Sequence, residues 1–473
     1  MTTAPAETEK RRLSGRLGPV GIVFMVVAAA APLTVIGGNM PLAMGLGNGA
    51  GAPVGFVIAA LVLLVFSVGF VTMTPHVPAA GAFFSYVTVG LGERMGKGIA
   101  VVALIAYTAI QIGIYGYIGW AISDTVAHYH GPVIAWPVYS FIVLVIVAVL
   151  GYRHIELSAK VLGVALALEI GIVVVLDAVM VAKPGPAGVT FTSFAPATFT
   201  QGTLGIAILF ALTGFIGFEA TAVFRDEARD PEQTIPRATY AAVIIIGAFY
   251  AITVWAFVVA VGPDQVTAVA KKTLAGEGNM LLDTTGDMLG IVGRDIVNVL
   301  LLSSLFACVL SFHNVIARYQ FVLAGKGLLP ARLATVHDDH ESPSFSSLVQ
   351  TATAAIIVAV LAILGIDPLV GVFGSMAGVA TVGMVLLMLT TSVAVLVFFL
   401  RNRELGTDHL WTTRIAPALA VLGLLGSLWL VLSNFTLVTG GSATLSTVLA
   451  AIPFLGLVVG FVAWRPSRAL SAN

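Results

Sequence analysis

The chain has 473 residues, of which 58% are hydrophobic and only 10% charged, whereas a soluble domain carries roughly 25% charged residues. Lys plus Arg and Asp plus Glu both number 23, and the resulting zero net charge says nothing about partners, because the charges are segregated by loop. Cys308 is the single cysteine, which excludes disulfides and cysteine-based metal sites.

In chain order, a polar, basic stretch (residues 1–17) comes first. The apolar run behind it is too long for a signal-peptide core and lacks a cleavage site, so this tail is expected to be retained. Apolar windows of about 20 residues, the length a bilayer core demands, then recur twelve times. They fall at 18–46, 53–74, 96–126, 132–150, 156–182, 201–226, 239–262, 294–322, 347–364, 369–400, 414–434 and 446–464. An all-α integral membrane protein of about twelve transmembrane helices is expected, with its partner the lipid bilayer. An even number of spans leaves both termini on one side. That side holds 19 of the 23 Lys and Arg residues; Lys183, Lys271, Lys272 and Arg294 face the other. The basic side is expected to be cytoplasmic, so both tails, including residues 465–473, are cytoplasmic in a multi-pass protein of the cytoplasmic (inner or plasma) membrane. The longest external loop, 263–293, is expected to form a short helix over the external mouth. The longest cytoplasmic loop, 324–346, has no room for a soluble domain, so neither nucleotide nor nucleic acid is an expected partner.

Two windows are interrupted. The first contains Ala28-Ala29-Ala30-Ala31-Pro32-Leu33-Thr34-Val35-Ile36-Gly37-Gly38-Asn39, and the sixth contains Phe210-Ala211-Leu212-Thr213-Gly214-Phe215-Ile216-Gly217-Phe218-Glu219. A Pro or a Gly pair in mid-span frees backbone N–H and C=O groups that hydrocarbon cannot satisfy. Such breaks persist where the backbone lines a cavity, and transporters hold solute and ion on the exposed helix ends. Read singly, Pro32 and the Gly214/Gly217 pair are also compatible with ordinary kinks. Five spans follow from each break, giving matched halves at 18–182 and 201–400, with 414–464 appended. Free N–H groups at a half-helix N-terminus suit a carboxylate, and free carbonyls at a C-terminus suit an ammonium. A zwitterion uses both. A channel would keep a continuous polar stripe, and a membrane enzyme would need converging acid, base or metal groups; neither is visible. The expectation is a secondary active transporter and not an enzyme, with no cofactor and no metal. A transport-inactive sensor on the same scaffold is the alternative of another class.

The sixth window leads into Asp226-Glu227-Ala228-Arg229-Asp230-Pro231-Glu232-Gln233-Thr234-Ile235-Pro236-Arg237-Ala238. Asn314, Arg318-Tyr319 and Ala324-Gly325-Lys326-Gly327-Leu328-Leu329-Pro330 follow the eighth window, and Gly81-Ala82-Phe83-Phe84-Ser85-Tyr86 with Leu91-Gly92 follows the second. These motifs resemble the amino acid–polyamine–organocation (APC) superfamily of permeases over about residues 20 to 400. The resemblance implies a LeuT-like five-plus-five inverted repeat with helices 1 and 6 broken, and two extra C-terminal helices. It also implies amino acid transport, with an amino acid or related amine as substrate. A polyamine or organic-cation permease and an amino-acid exchanger are the alternatives within the family.

In such permeases the substrate ammonium lies against carbonyls of the sixth span, here Thr213, Gly214 and Ile216, with Gly217 beside them and Phe215 as the aromatic lid. The first span departs from the family's Gly-Ser/Thr-Gly run: Ala30-Ala31-Pro32-Leu33-Thr34 stands there. Pro32 offers no N–H, so the carboxylate donors left are the amides of Ala31, Leu33 and Thr34 and the Thr34 hydroxyl. Carboxylate recognition is weakened, which keeps carboxylate-free amines in play. Gln111 matches a polar position of the third span and is either a pocket residue or a helix–helix hydrogen bond; the nearby Gly113, Gly116 and Gly119 form a packing face.

Ionisable groups at membrane depth are costly and hence functional suspects. Glu169, mid-way along the fifth window, stands where proton-coupled relatives carry a lysine aimed at the first break. A group that alternates between neutral and charged forms is what a proton carrier needs, so Glu169 is the expected ion-coupling residue and H+ the expected ion; a helix–helix hydrogen bond is the other reading. Glu219 is expected to stabilise the inner half-helix or a gate. Lys160 reads as a snorkelling interface residue, Asp124 and Asp177 as vestibule charges, and His313 as a core histidine. Ser303 and Ser304 are a weak signal for a sodium site. Gly45 to Gly51 reads as a flexible external turn, and His337-Asp338-Asp339-His340-Glu341 has metal-like spacing without further ligands.

Overall fold

A computed structural model describes residues 18–77, 83–153, 159–219, 221, 228–336, 343–405 and 409–462. The described chain is helical throughout, with helices α1 (Pro19–Ala29), α2 (Pro32–His76), α3 (Phe83–Leu91), α4 (Glu93–His128), α5 (Trp136–Tyr152), α6 (Ala159–Ala182) and α7 (Leu204–Thr213) in its first part. It continues through α8 (Pro231–Val261), α9 (Val266–Leu274), α10 (Met280–Gly325), α11 (Ser344–Ile363), α12 (Pro368–Arg401), α13 (Trp411–Ser433) and α14 (Ala443–Val462).

Among the described residues nine helices are long and apolar enough to cross a membrane, and α5 and α7 are shorter apolar helices. The difference from twelve windows has local causes. The first window is cut after α1, and its second part runs on into the second window as α2. That run is turned at Gly47 (φ −93°, ψ −121°) and at Gly49, whose φ of 57° suits glycine. The sixth window keeps helix only over α7, because 214–219 are turns. The helix expected in the 263–293 loop is present as α9, followed by a first segment of α10 that is separated from the rest by Gly290 (φ 73°).

Helix α4 is the centre of the bundle and packs against α12, α14, α10, α3 and α5. Its glycines explain the close approach. A Cβ on Gly116 would come within 2.6 Å of Val372 Cγ1, and one on Gly113 within 3.3 Å of Met376 Cβ. Helices α2 and α7 meet likewise at Gly55, where a Cβ would lie 2.8 Å from Ala207 Cβ. The outer surface is the reverse of a soluble protein's. Ile142, Val145 and Val149 of α5, Val164, Leu168 and Val175 of α6, and Leu455, Val459 and Val462 of α14 are all exposed. Continuous apolar faces of this kind are covered by lipid.

Candidate functional site

The first break is built by backbone geometry. Ala31 takes a left-handed conformation (φ 45°, ψ 73°), and Pro32 restarts the helix at a position where a missing N–H costs nothing. The left-handed state costs an L-residue roughly 1–2 kcal/mol, offset here by what it exposes. The freed Ala30 carbonyl accepts from the Tyr250 hydroxyl of α8 at 3.1 Å. The Leu33 amide donates to the Glu169 carboxylate of α6. The Thr34 hydroxyl is buried without a partner. A β-branched residue tolerates this backbone poorly. Ala31→Val is therefore expected to destabilise by about 1–2 kcal/mol or more, and Ala31→Gly to be tolerated, as read from thermal unfolding in detergent.

The second break follows α7. Successive three-residue bonds (Phe215 N–H to Leu212 O, 3.0 Å; Ile216 N–H to Thr213 O, 3.1 Å; Phe218 N–H to Phe215 O, 3.1 Å) replace the α-helical ladder. Gly217 has φ 108°, open to glycine, and its N–H donates to Glu219 Oε2 at 2.9 Å. The Thr213 carbonyl is thereby taken by Ile216. Its hydroxyl donates to Leu209 O at 2.8 Å and pairs with Thr381 of α12 at 2.6 Å.

The two breaks face each other across a cavity of about 30 Å³. Ala30, Ala31, Thr34, Val35 and Asn39 line it from the first break and α2, and Thr213 and Ile216 from the second. Ile110 and Ile114 of α4, Cys308 and Phe312 of α10 and Phe373 of α12 complete the wall. Such a volume holds a water or two, so a larger solute enters only when the walls move. Asn39 Nδ2 donates to the Phe210 carbonyl at 2.9 Å, fixing α2 to α7 at the cavity edge.

Other expected site residues stand around this wall rather than in it. Phe215 packs edge-on against Tyr250, with centroids 6.2 Å apart. Gly214 is pressed against Val35, which a Cβ would approach to 3.0 Å. Gln111 is fully buried and its Oε1 accepts from Gln350 Nε2 at 2.6 Å; Gln350 in turn accepts from Gln320 at 3.1 Å, so a glutamine ladder joins α4, α11 and α10. Glu169 lies directly behind the first break. Besides the Leu33 amide it accepts from Ser304 of α10 at 2.9 Å, and Tyr250 and Cys308 are its neighbours.

Glu219 is enclosed beneath the second break. It accepts from the Tyr107 hydroxyl of α4 at 2.6 Å, from Gly217 N–H and from its own N–H. Tyr107 packs on Phe312 of the cavity wall, with centroids 6.2 Å apart. His313 is buried and paired with Ser347 of α11 at 2.8 Å. Ser303 donates to its own helix at Leu300 O. Asp124 accepts from Asn279 at 2.9 Å, close to the Arg294–Asp283 ion pair at 3.9 Å. Asp177 is enclosed between α6 and α8 instead of lining an open vestibule, and Thr253 donates to it at 2.7 Å. Lys326, just beyond α10, sits 4.2 Å from the Phe84 ring centroid, where desolvation lowers its pKa.

Part of the sequence reading lies outside the described residues: the Lys160 side chain, Gly81-Ala82, Asp226-Glu227 and His337 to Glu341. Among the described residues no group of three His, Cys, Asp or Glu side chains could hold a metal. Tyr250, Tyr107, Asn39, Phe312 and Phe373 were not singled out by sequence. Only Asn39, a polar residue inside the interrupted window, offered a signal.

The chain is 24% identical over 358 residues to the branched-chain amino acid permease BcaP of Bacillus subtilis, covering 72% of this chain and 73% of that one. An uncharacterised transporter of Mycobacterium tuberculosis is 27% identical, over 75% of this chain and 76% of its own. The serine/threonine exchanger SteT of Bacillus subtilis is 25% identical, over 50% and 49%. The family model described as amino acid permease matches residues 21–465, and the chain belongs to that family.

Proposed function

We propose that the protein is a secondary transporter that imports a neutral, apolar amino acid across the cytoplasmic membrane by alternating access, with proton coupling through Glu169. In this reading the scaffold is a LeuT-like repeat, 18–182 against 201–400, with 414–464 appended and both termini cytoplasmic. The observation that carries it is the cavity wall. Two broken helices bring an unpartnered Thr34 hydroxyl and a helix N-terminus at Pro32 opposite the turn at 214–217. Among the described residues no carboxylate and no basic side chain lines the space between. A polyamine needs acids to offset the loss of its hydration, and the wall supplies none. Ile110, Ile114, Phe312 and Phe373 suit an aliphatic side chain, in keeping with the branched-chain specificity named for one relative.

The coupling reading rests on Glu169, an enclosed carboxylate whose donors, the Leu33 amide and Ser304, belong to two different helices. Movement of α1 and α2 against α10 would change its surroundings, which is how access and protonation become linked.

The test is uptake into proteoliposomes under an inward proton gradient, with radiolabelled L-leucine, L-serine, L-arginine and putrescine. Leucine accumulation that collapses with a protonophore is expected. Accumulation of putrescine or arginine without leucine would overturn the substrate assignment, and leucine accumulation indifferent to the proton gradient would overturn the coupling. Thr34→Val should raise the half-saturating leucine concentration about tenfold, since a hydrogen bond to a charged group contributes about 1.5–3 kcal/mol. An unchanged value would remove the hydroxyl from the substrate contact.

A further inference from the structure

Apart from the groups already assigned, the described part of helix α6 encloses one more acid, Asp177. It is 9% exposed, eight residues beyond Glu169 on α6, a rise of about 12 Å. One oxygen accepts from Thr253 of α8; the other, Oδ1, is buried and has no partner. A polar group enclosed without a partner is expensive, and a purely structural link between α6 and α8 would use a hydroxyl or an amide. The groups facing the two acids are few. Helix α8 presents Thr253 to Asp177 and, one turn away, Tyr250 beside Glu169. Helix α10 presents Ser304 and Cys308 to Glu169, while its Asp295 lies in the outer groove against Leu168 and Val175, hydrogen-bonded by Tyr129. The start of α2 presents only the Leu33 amide. No lysine, arginine or histidine among the described residues faces either acid.

The α6–α8 interface therefore carries four polar groups in order, Asp177, Thr253, Tyr250 and Glu169, through otherwise apolar packing of Val173, Leu176 and Val254; Thr253 is hydrogen-bonded to Asp177, and the Tyr250 hydroxyl, beside Glu169, is turned to the Ala30 carbonyl. We propose that Asp177 is a second protonatable coupling residue, which takes up a proton at its unpartnered oxygen from the α6 C-terminal side and passes it along these groups to Glu169. The balance is simple: an O–H bond forms at Asp177 Oδ1 as a hydronium ion gives up its proton and becomes water; that O–H bond then breaks, Asp177 returns to the carboxylate, and an O–H bond forms on the Glu169 carboxylate, which becomes neutral. The proposal rests on the assignment of Glu169 made above.

The experiment compares Asp177→Asn, Asp177→Glu and Thr253→Val with wild type and Glu169→Gln in proteoliposomes. Radiolabelled L-leucine reports uptake and counterflow, and trapped pyranine reports proton entry. For Asp177→Asn and Thr253→Val, proton-driven leucine uptake and leucine-induced proton entry should fall about a hundredfold or more, the scale on which removal of a proton-transfer group acts. The external-pH profile of uptake should shift, counterflow should stay within about twofold, and Asp177→Glu should restore the rate. Wild-type proton entry and pH profile in Asp177→Asn, or in Thr253→Val if the first variant does not fold, would make Asp177 structural. Loss of coupling in Glu169→Gln together with full coupling in the Asp177 variants would sink this proposal alone. Absence of leucine-induced proton entry in wild type would sink the Glu169 assignment and this one with it.

Discussion

Glu169→Gln is expected to abolish uphill accumulation while leaving the protein folded and able to exchange substrate. Glutamine keeps the volume of the side chain and an acceptor oxygen for the Leu33 amide and Ser304, so the packing behind the first break survives. What it loses is the ability to gain and release a proton. A one-unit pH gradient supplies about 1.4 kcal/mol per proton, enough for about tenfold accumulation when one proton accompanies one substrate. Wild-type vesicles should approach that ratio with leucine; the variant should stop near equality, while counterflow of labelled against unlabelled leucine continues. Uphill transport surviving in Glu169→Gln would remove this residue from the mechanism. Loss of counterflow as well would show that the carboxylate shapes the substrate cavity and not only the coupling.

Much of the architecture was legible because membrane helices are limited by length and by backbone satisfaction. Window length located the long helices of the bundle but not α3, which falls between the second and third windows, and Pro32 and the Gly214/Gly217 pair located the two interruptions. The resemblance to proton-coupled permeases, which carry a lysine at the place of Glu169, was what suggested the first break as its neighbour. Facing was the illegible part. Helices such as α4 and α7 are apolar on all sides, so periodicity carries no direction. Tyr250 and Phe312 looked like any other aromatic in an apolar run. Gln111 left two readings open because its partner, Gln350, is 239 residues away. The count of separate helices also depended on local backbone: Gly47 and Gly49 turn the chain without a polar loop, so two windows merge into α2. Glu219 was legible as part of a motif, but its strongest partner, Tyr107, lies on another helix.

That partnership supports the second large effect. Glu219→Ala should destabilise the protein by about 3 kcal/mol or more, because it strands buried donors rather than merely deleting a contact. The Tyr107 hydroxyl, the Gly217 N–H and the backbone N–H of residue 219 all point at this carboxylate. Each enclosed donor left without an acceptor costs about 1–3 kcal/mol. Gly217, held at φ 108°, loses the bond that fixes the turn below the cavity. Two comparisons separate the acceptor from the charge. Glu219→Gln keeps one acceptor oxygen and should cost clearly less than Glu219→Ala. Tyr107→Phe leaves two N–H donors on the carboxylate and should cost about 1–2 kcal/mol. Combining Tyr107→Phe with Glu219→Ala should cost less than the two changes added, since the stranded hydroxyl is then absent. Thermal unfolding in detergent gives the stabilities, and leucine uptake reports whether the cavity follows, because Tyr107 packs on Phe312 of its wall. A Glu219→Ala protein that melts with the wild type would show that the turn at 214–219 is held by its surroundings and not by this carboxylate.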